Sequence, residues 1–225
     1  MATKRKILKE TYQSIDSVCS DVLQALLYWI GYKKASYPFY HFSEGALTAE
    51  LYTLFQSKLN NNYYLRPEFP YKKIPAVTSD IENNKKRVDI LIFNPKKGRV
   101  LEEDSDGDFI IKQTDEIFLF EVKKFESTND ISNDFEKLYQ CKLKNNNIRG
   151  FVIFINQKTL PPIGKNVKVG ESEKQLKNWE KRIEQFVNKH SNDFKTKIIA
   201  QKVLSADKRG VTSNSKFGVL VEVLI

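Results

Sequence analysis

Three short apolar runs limit what this chain can become. They are Arg87 to Phe93 (Arg-Val-Asp-Ile-Leu-Ile-Phe), Ile117 to Phe125 (Ile-Phe-Leu-Phe-Glu-Val-Lys-Lys-Phe) and Phe151 to Ile155. Each is too short for a stable helix and rich in branched and aromatic residues. The first and third stop at Asn94-Pro95 and at Asn156. Such runs are strands buried on both faces, so helices must cover them. Residues 129 to 144 lie between the second and third runs and carry Ile131, Phe135 and Leu138 at helical spacing. The result is a strand–helix–strand unit with parallel strands and a right-handed crossover. No helix separates the two earlier strands, so those are expected to run antiparallel. The expected class is α/β, a mixed central β-sheet flanked by helices on both faces.

The flanking segments extend this plan. Residues 7 to 30 repeat apolar side chains every three or four positions (Ile15, Val18, Val22, Leu26, Trp29), and Gly31 is the expected stop. A ring-rich link follows, Tyr37 to Phe42, suited to core or domain packing more than to base stacking. Ser43 can cap a second helix to about Leu59, with Leu47, Leu51, Leu54 and Phe55 on one face. Tyr63 to Tyr71 is expected as an irregular strand bent by Pro67 and Pro70. Beyond a loop at 157–170, an amphipathic helix is expected over 171–189, with Leu176, Trp179 and Ile183 inward. Strands near 196–204 and 217–225 complete the chain. The expected division is an N-terminal helix and link (1–42), a core (43–156), and a C-terminal helix-plus-strands extension packed on the core (157–225).

Composition narrows the functional classes. The 225 residues are 40% hydrophobic, enough for a core and incompatible with wholesale disorder. A net charge of +9 fits a polyanionic partner. Cys19 and Cys141 lie too far apart for a zinc motif, and two cysteines make no disulfide framework, as expected in a reducing compartment. The longest apolar stretch, Val22 to Ile30, is about half the roughly 20 residues a membrane span needs. Polar residues follow the basic N-terminus where a signal peptide would turn apolar. A cytoplasmic protein with no membrane partner is the expectation.

The chemical signal is polar. Asp89 interrupts the first buried run, and Glu121 and Lys123 interrupt the second. Carboxylates enter such strands when paired or bound to metal. Side chains alternate across a strand, so Glu121 and Lys123 share a face about 7 Å apart. If the two strands pair, Asp89 can approach Glu121 there. Two carboxylates can hold a hard cation such as Mg²⁺, and a nearby lysine can orient water or neutralise developing charge. The competing explanation is an internal carboxylate–lysine bridge, which is less economical for all three residues together.

With Arg87-Val88-Asp89 on one strand and Glu121-Val122-Lys123 on the next, followed by a helix and a strand, residues 43 to 156 resemble the PD-(D/E)XK nuclease superfamily. The literal Pro-Asp dipeptide is replaced by Val88-Asp89. The resemblance implies a restriction-endonuclease-like αβββαβ core and Mg²⁺-dependent hydrolysis of phosphodiester bonds, usually in DNA, with Mn²⁺ able to substitute. Asp89 and Glu121 would ligate metal, and Lys123 would position or activate water. The family's helix acid falls on Glu50 or Glu44, with Glu50 favoured and Glu68 a weaker third. Lys137 lies in the first turns of the crossover helix near the same strand end and could touch phosphate; Gln140 has a similar claim by analogy. A homodimer would supply two active sites for a duplex. The alternative is a catalytically inactive nucleic-acid-binding module with a nuclease-like fold.

Other signals are weaker. Asp104, Asp106 and Asp108 lack EF-hand spacing, because Gly107 comes early, and a solvated turn explains them better. Gly164-Lys165 lacks the remainder of a phosphate loop. His41 and His190 make no ligand pair.

Overall fold

The alternation that makes the central strands apolar on both faces divides the core into two layers, one on each side of a single sheet. The computed structural model describes residues 14–36, 42–75, 86–96, 100–124, 131–156, 195–204 and 216–225, together with residue 181. Helix α1 spans Ile15–Ser36 and α2 spans Glu44–Lys58. Strand β1 (Tyr64–Pro70) ends in a 3₁₀ turn at Tyr71–Lys73. Strands β2 (Arg87–Asn94) and β3 (Glu116–Lys124) precede α3 (Ile131–Lys144). Strands β4 (Ile148–Asn156), β5 (Lys195–Leu204) and β6 (Lys216–Leu224) follow. The six strands form one mixed sheet in the order β1-β2-β3-β4-β6-β5. β1, β2 and β3 pair antiparallel, and β3 and β4 pair parallel across α3, as expected for a strand–helix–strand unit. The C-terminal β6 pairs with β4 inside the same sheet, so the end of the chain widens it.

On one face, α1 and α2 bury Val22, Leu26, Leu47, Leu51 and Phe55 against Ile90, Ile92, Phe120, Phe151 and Ile153. On the other, α3 buries Phe135, Leu138 and Cys141 against Leu91, Leu119, Val152 and Val221. Ser43 caps α2 as expected, its hydroxyl accepting from the Ala46 N–H at 3.1 Å. α1 does not stop at Gly31. It runs five residues further, to Ser36. Glycine ends a helix when it turns left-handed, and among the described residues only Gly107 is a glycine with positive φ. The extra turn carries Lys33, favourable near the negative end of the helix dipole. Residues 7–13, most of the ring-rich link, the loop at 157–170 and nearly all of the helix expected over 171–189 lie outside the described residues. No described helix is long and apolar enough to cross a membrane.

Gly150 lets α3 approach β4. A Cβ built there would lie 2.8 Å from the Leu138 Cβ, an atom fixed to its helix backbone. Gly150→Ala is therefore expected to destabilise the protein by about 1–3 kcal/mol, read as a lowered melting temperature. An unchanged melting temperature would show that α3 can shift without loss.

Candidate active site

The ladder between β2 and β3 runs from Asn94↔Glu116 to Ile90↔Phe120 and goes no further. Continuing the register would set Asp89 beside Glu121 and Val88 beside Val122. Instead the Asp89 carboxylate accepts the Val122 N–H at 2.6 Å, satisfying an amide that a strand carbonyl would otherwise have taken. Val88 joins the α3-side core, whereas Ile90 and Ile92 face α1 and α2, so strict alternation is lost at Asp89. On β1, Glu68 lies opposite Asp89 and has a positive φ of 50°, an uncommon conformation for a non-glycine residue.

Glu121 and Lys123 project toward α3, as strand alternation requires. Glu121 is buried and accepts a 2.6 Å hydrogen bond from the Tyr71 hydroxyl. The Lys123 ammonium lies 3.1 Å from Asp134 Oδ2 and 3.7 Å from Glu44 Oε2. Asp134 is 3% exposed, on the first turn of α3, and its Oδ1 accepts from Lys137 Nζ at 2.6 Å. Its buried Oδ2 is engaged by the Lys123 ammonium. Glu44 also reaches the Lys124 N–H at 3.3 Å, so the start of α2 touches the end of β3.

Electrostatics follow from burial. Glu121 is pushed up to about 8, first by burial and then by the charges of Asp89 and Asp134; the Tyr71 hydrogen bond and Lys137 only partly offset this. Asp89 is raised as well, chiefly by burial, with the Val122 N–H and Lys123 opposing. Burial works against the Lys123 ammonium, yet Asp134, Glu44 and Glu121 outweigh it and its pKa is raised. Carboxylates therefore outnumber ammonium groups in a poorly solvated corner, and part of that excess is relieved by a proton on Glu121.

Of the residues expected at the site, Asp89, Glu121, Lys123 and Lys137 converge. Glu50 does not join them: its pKa is raised by burial, with Lys33 of α1 opposing. The helix acid at the cluster is Glu44, because the N-terminus of α2, rather than its middle, abuts the end of β3. Gln140 bonds Glu136 on an exposed flank of α3 at 2.7 Å. Sequence reasoning missed Asp134 and Tyr71. Asp134 sits beside inward Phe135 and four residues before inward Leu138, a spacing that borders the buried stripe. The buried Tyr71 hydroxyl needed a partner, but nothing in the sequence said which.

Asp104, Asp106 and Asp108 place their carboxylates close together, and the Lys73 ammonium fills the space between them at 2.5–2.8 Å. Asp104 further accepts the Asp106 and Asp108 N–H groups, closing the turn on itself. The expected solvated turn is thus a lysine-centred one. No protein-family model, curated protein or solved structure matches this chain.

Glu121 yields a prediction for metal-free protein. Its folded pKa, about 8, lies above the ordinary 4.5, so the folded state holds more protons between those values. Its contribution is fully present below pH 4.5 and is lost as pH rises through about 8. Glu121→Gln keeps an acceptor for Tyr71 and removes the charge. It should melt higher than the parent at pH 8.5, and the gap should close toward pH 5. Parallel melting curves across this range would mean the carboxyl titrates normally.

Proposed function

We propose that the protein is a metal-dependent nuclease of the PD-(D/E)XK type, with a restriction-endonuclease-like core, hydrolysing phosphodiester bonds in nucleic acid, DNA above all. The observation that carries this is the meeting of Asp89, Glu121 and Lys123 at one strand end, where the carboxylates of Asp89, Glu121, Asp134 and Glu44 outnumber Lys123 and Lys137. The donor set fits a hard cation, because Asp89 and Glu121 both offer carboxylate oxygens. Asp89 and Glu121 would hold Mg²⁺ or Mn²⁺. When bound, the ion supplies charge neutralisation at phosphate and activation of water. Lys123, with its raised pKa, serves as a fixed positive charge and hydrogen-bond donor rather than as a base. Asp134 and Glu44 hold that ammonium in place, and Lys137 adds positive charge on the same side. One observation favours the alternative of a binding module without turnover: the Tyr71 hydroxyl already donates to Glu121 Oε1 at 2.6 Å.

Incubation with plasmid, single-stranded DNA and RNA, each with Mg²⁺, Mn²⁺ or EDTA, separates the two. Cleavage that depends on the divalent ion is expected for the nuclease, and binding without cleavage for the module. Asp89→Asn and Glu121→Gln should reduce cleavage to background while remaining folded. Lys123→Ala should cost about 10²–10³-fold in turnover. Glu44→Ala should cost about 10–100-fold, as for a group that orients a catalytic one, and Glu50→Ala should be close to neutral. Cleavage at the parent rate by both Asp89→Asn and Glu121→Gln would remove the site assignment.

A further inference from the structure

A cleft of about 290 Å³ opens where the chain leaves α2 and enters the edge strand β1. Its size is near the lower end of small-molecule sites, roughly 300 Å³, which favours a ligand of one ring system over a larger one. Tyr52 comes from the last turns of α2, and Tyr63 and Tyr64 from the start of β1. Tyr52 and Tyr63 stand on the α2 side of the edge strand, and Tyr64, with Phe109, on the α3 side. Tyr64 stacks on Phe93 with centroids 5.4 Å apart, and Tyr63 leans on Phe118 at 6.3 Å. Two further residues, Gln56 and Asn61, bring exposed amides to the rim.

The cation of this cleft is Arg66. Its guanidinium lies 4.5 Å from the centre of the Phe109 ring, which fixes the plane of the fork. Its Nε is buried and, among the described residues, has no hydrogen-bond acceptor. A buried donor without an acceptor is costly, and the planar fork matches a phosphate or carboxylate. Aromatic walls, a preset guanidinium and amides at the rim suit a ligand that is flat and apolar at one end and anionic at the other.

We propose that this cleft binds one nucleotide, its base against Tyr52 and Tyr63 and its phosphate reaching round the edge strand to Arg66. Stacking of this kind tolerates any base, because every base has a π-face. Strand β1 runs from the cleft toward the acidic cluster, with Arg66 paired to Leu91, two residues from Asp89. Arg66 is two residues before Glu68, about 7 Å along the strand, and Glu68 lies opposite Asp89. A nucleic-acid strand along β1 would then seat one nucleotide in the cleft with a neighbouring phosphodiester near Asp89 and Glu121. As a nucleotide site the cleft stands by itself; as a subsite for a cleaved strand it rests on the nuclease reading.

The full chain is titrated in EDTA, so that no strand is cut, with two probes. One is 2-aminopurine deoxyriboside 5′-monophosphate, and the other a single-stranded oligonucleotide carrying one 2-aminopurine. Quenching of the probe on binding is expected. Arg66→Ala should weaken binding at least tenfold, and Arg66→Lys, which keeps the charge without the stacked plane, should weaken it less. Tyr52→Leu should diminish the quenching. Quenching of the free nucleotide identifies a mononucleotide site, and quenching of the oligonucleotide alone identifies a strand subsite. No quenching of either probe, or equal quenching in a folded Arg66→Lys and the parent, overturns the assignment. Quenching without metal-dependent cleavage would leave the cleft and remove the nuclease; cleavage without quenching would do the reverse.

Discussion

Ile90 and Phe120 form the last rung between β2 and β3, and the proposed chemistry depends on the ladder ending there. Had it continued, the Val122 N–H would have met a backbone carbonyl and Asp89 would have been free to turn elsewhere. Because it ends, the Asp89 carboxylate accepts that amide, which fixes the side chain at the strand end where Glu121 also lies. On the other side of β3, the parallel pairing with β4 continues to Lys124↔Ile155, which keeps the strand straight and sets Glu121 and Lys123 on the α3 face. The two ladders of unequal length create a polar notch at the edge of an otherwise apolar sheet.

The molecule handles two clusters of acidic side chains in different ways. At Asp104, Asp106 and Asp108 the Lys73 ammonium lies among the three carboxylates, and the turn closes around it. At Asp89 and Glu121 the lysines stand to one side, engaged with Asp134 and Glu44. There the charge excess is relieved by a proton on Glu121 rather than by a lysine. Keeping ionisable carboxyls close together with too few cations costs stability, as carboxylate pairs at catalytic sites do, and the proton is what a divalent ion would displace.

The fold was legible because its signals are local. Short apolar runs gave the buried strands, helical spacing of Phe135 and Leu138 gave the crossover, and Ser43 gave a cap. Gly31 misled because composition alone does not reveal the backbone dihedral that ends a helix. At the site, Asp89, Glu121 and Lys123 stood out as polar residues inside apolar strands. Distance from the helix end favours Glu50, and the helix dipole alone accounts for Glu44 in the first turn; neither criterion tells which end of α2 meets the sheet. Asp134 and Tyr71 were invisible for a related reason: their roles come from partners 11 and 50 residues away in the chain, joined only by packing.

The central claim is that the corner formed by Asp89 and Glu121 takes up a divalent cation in exchange for the proton on Glu121. Calorimetric titration of the full chain with Mn²⁺ at pH 7, in buffers of different ionisation enthalpy, tests it most directly. Binding should release close to one proton, because Glu121 must ionise to ligate. The release should vanish with Glu121→Gln, along with most of the affinity. Binding with no proton release, or with the same affinity and proton count in Glu121→Gln, would place the ion elsewhere and contradict the account.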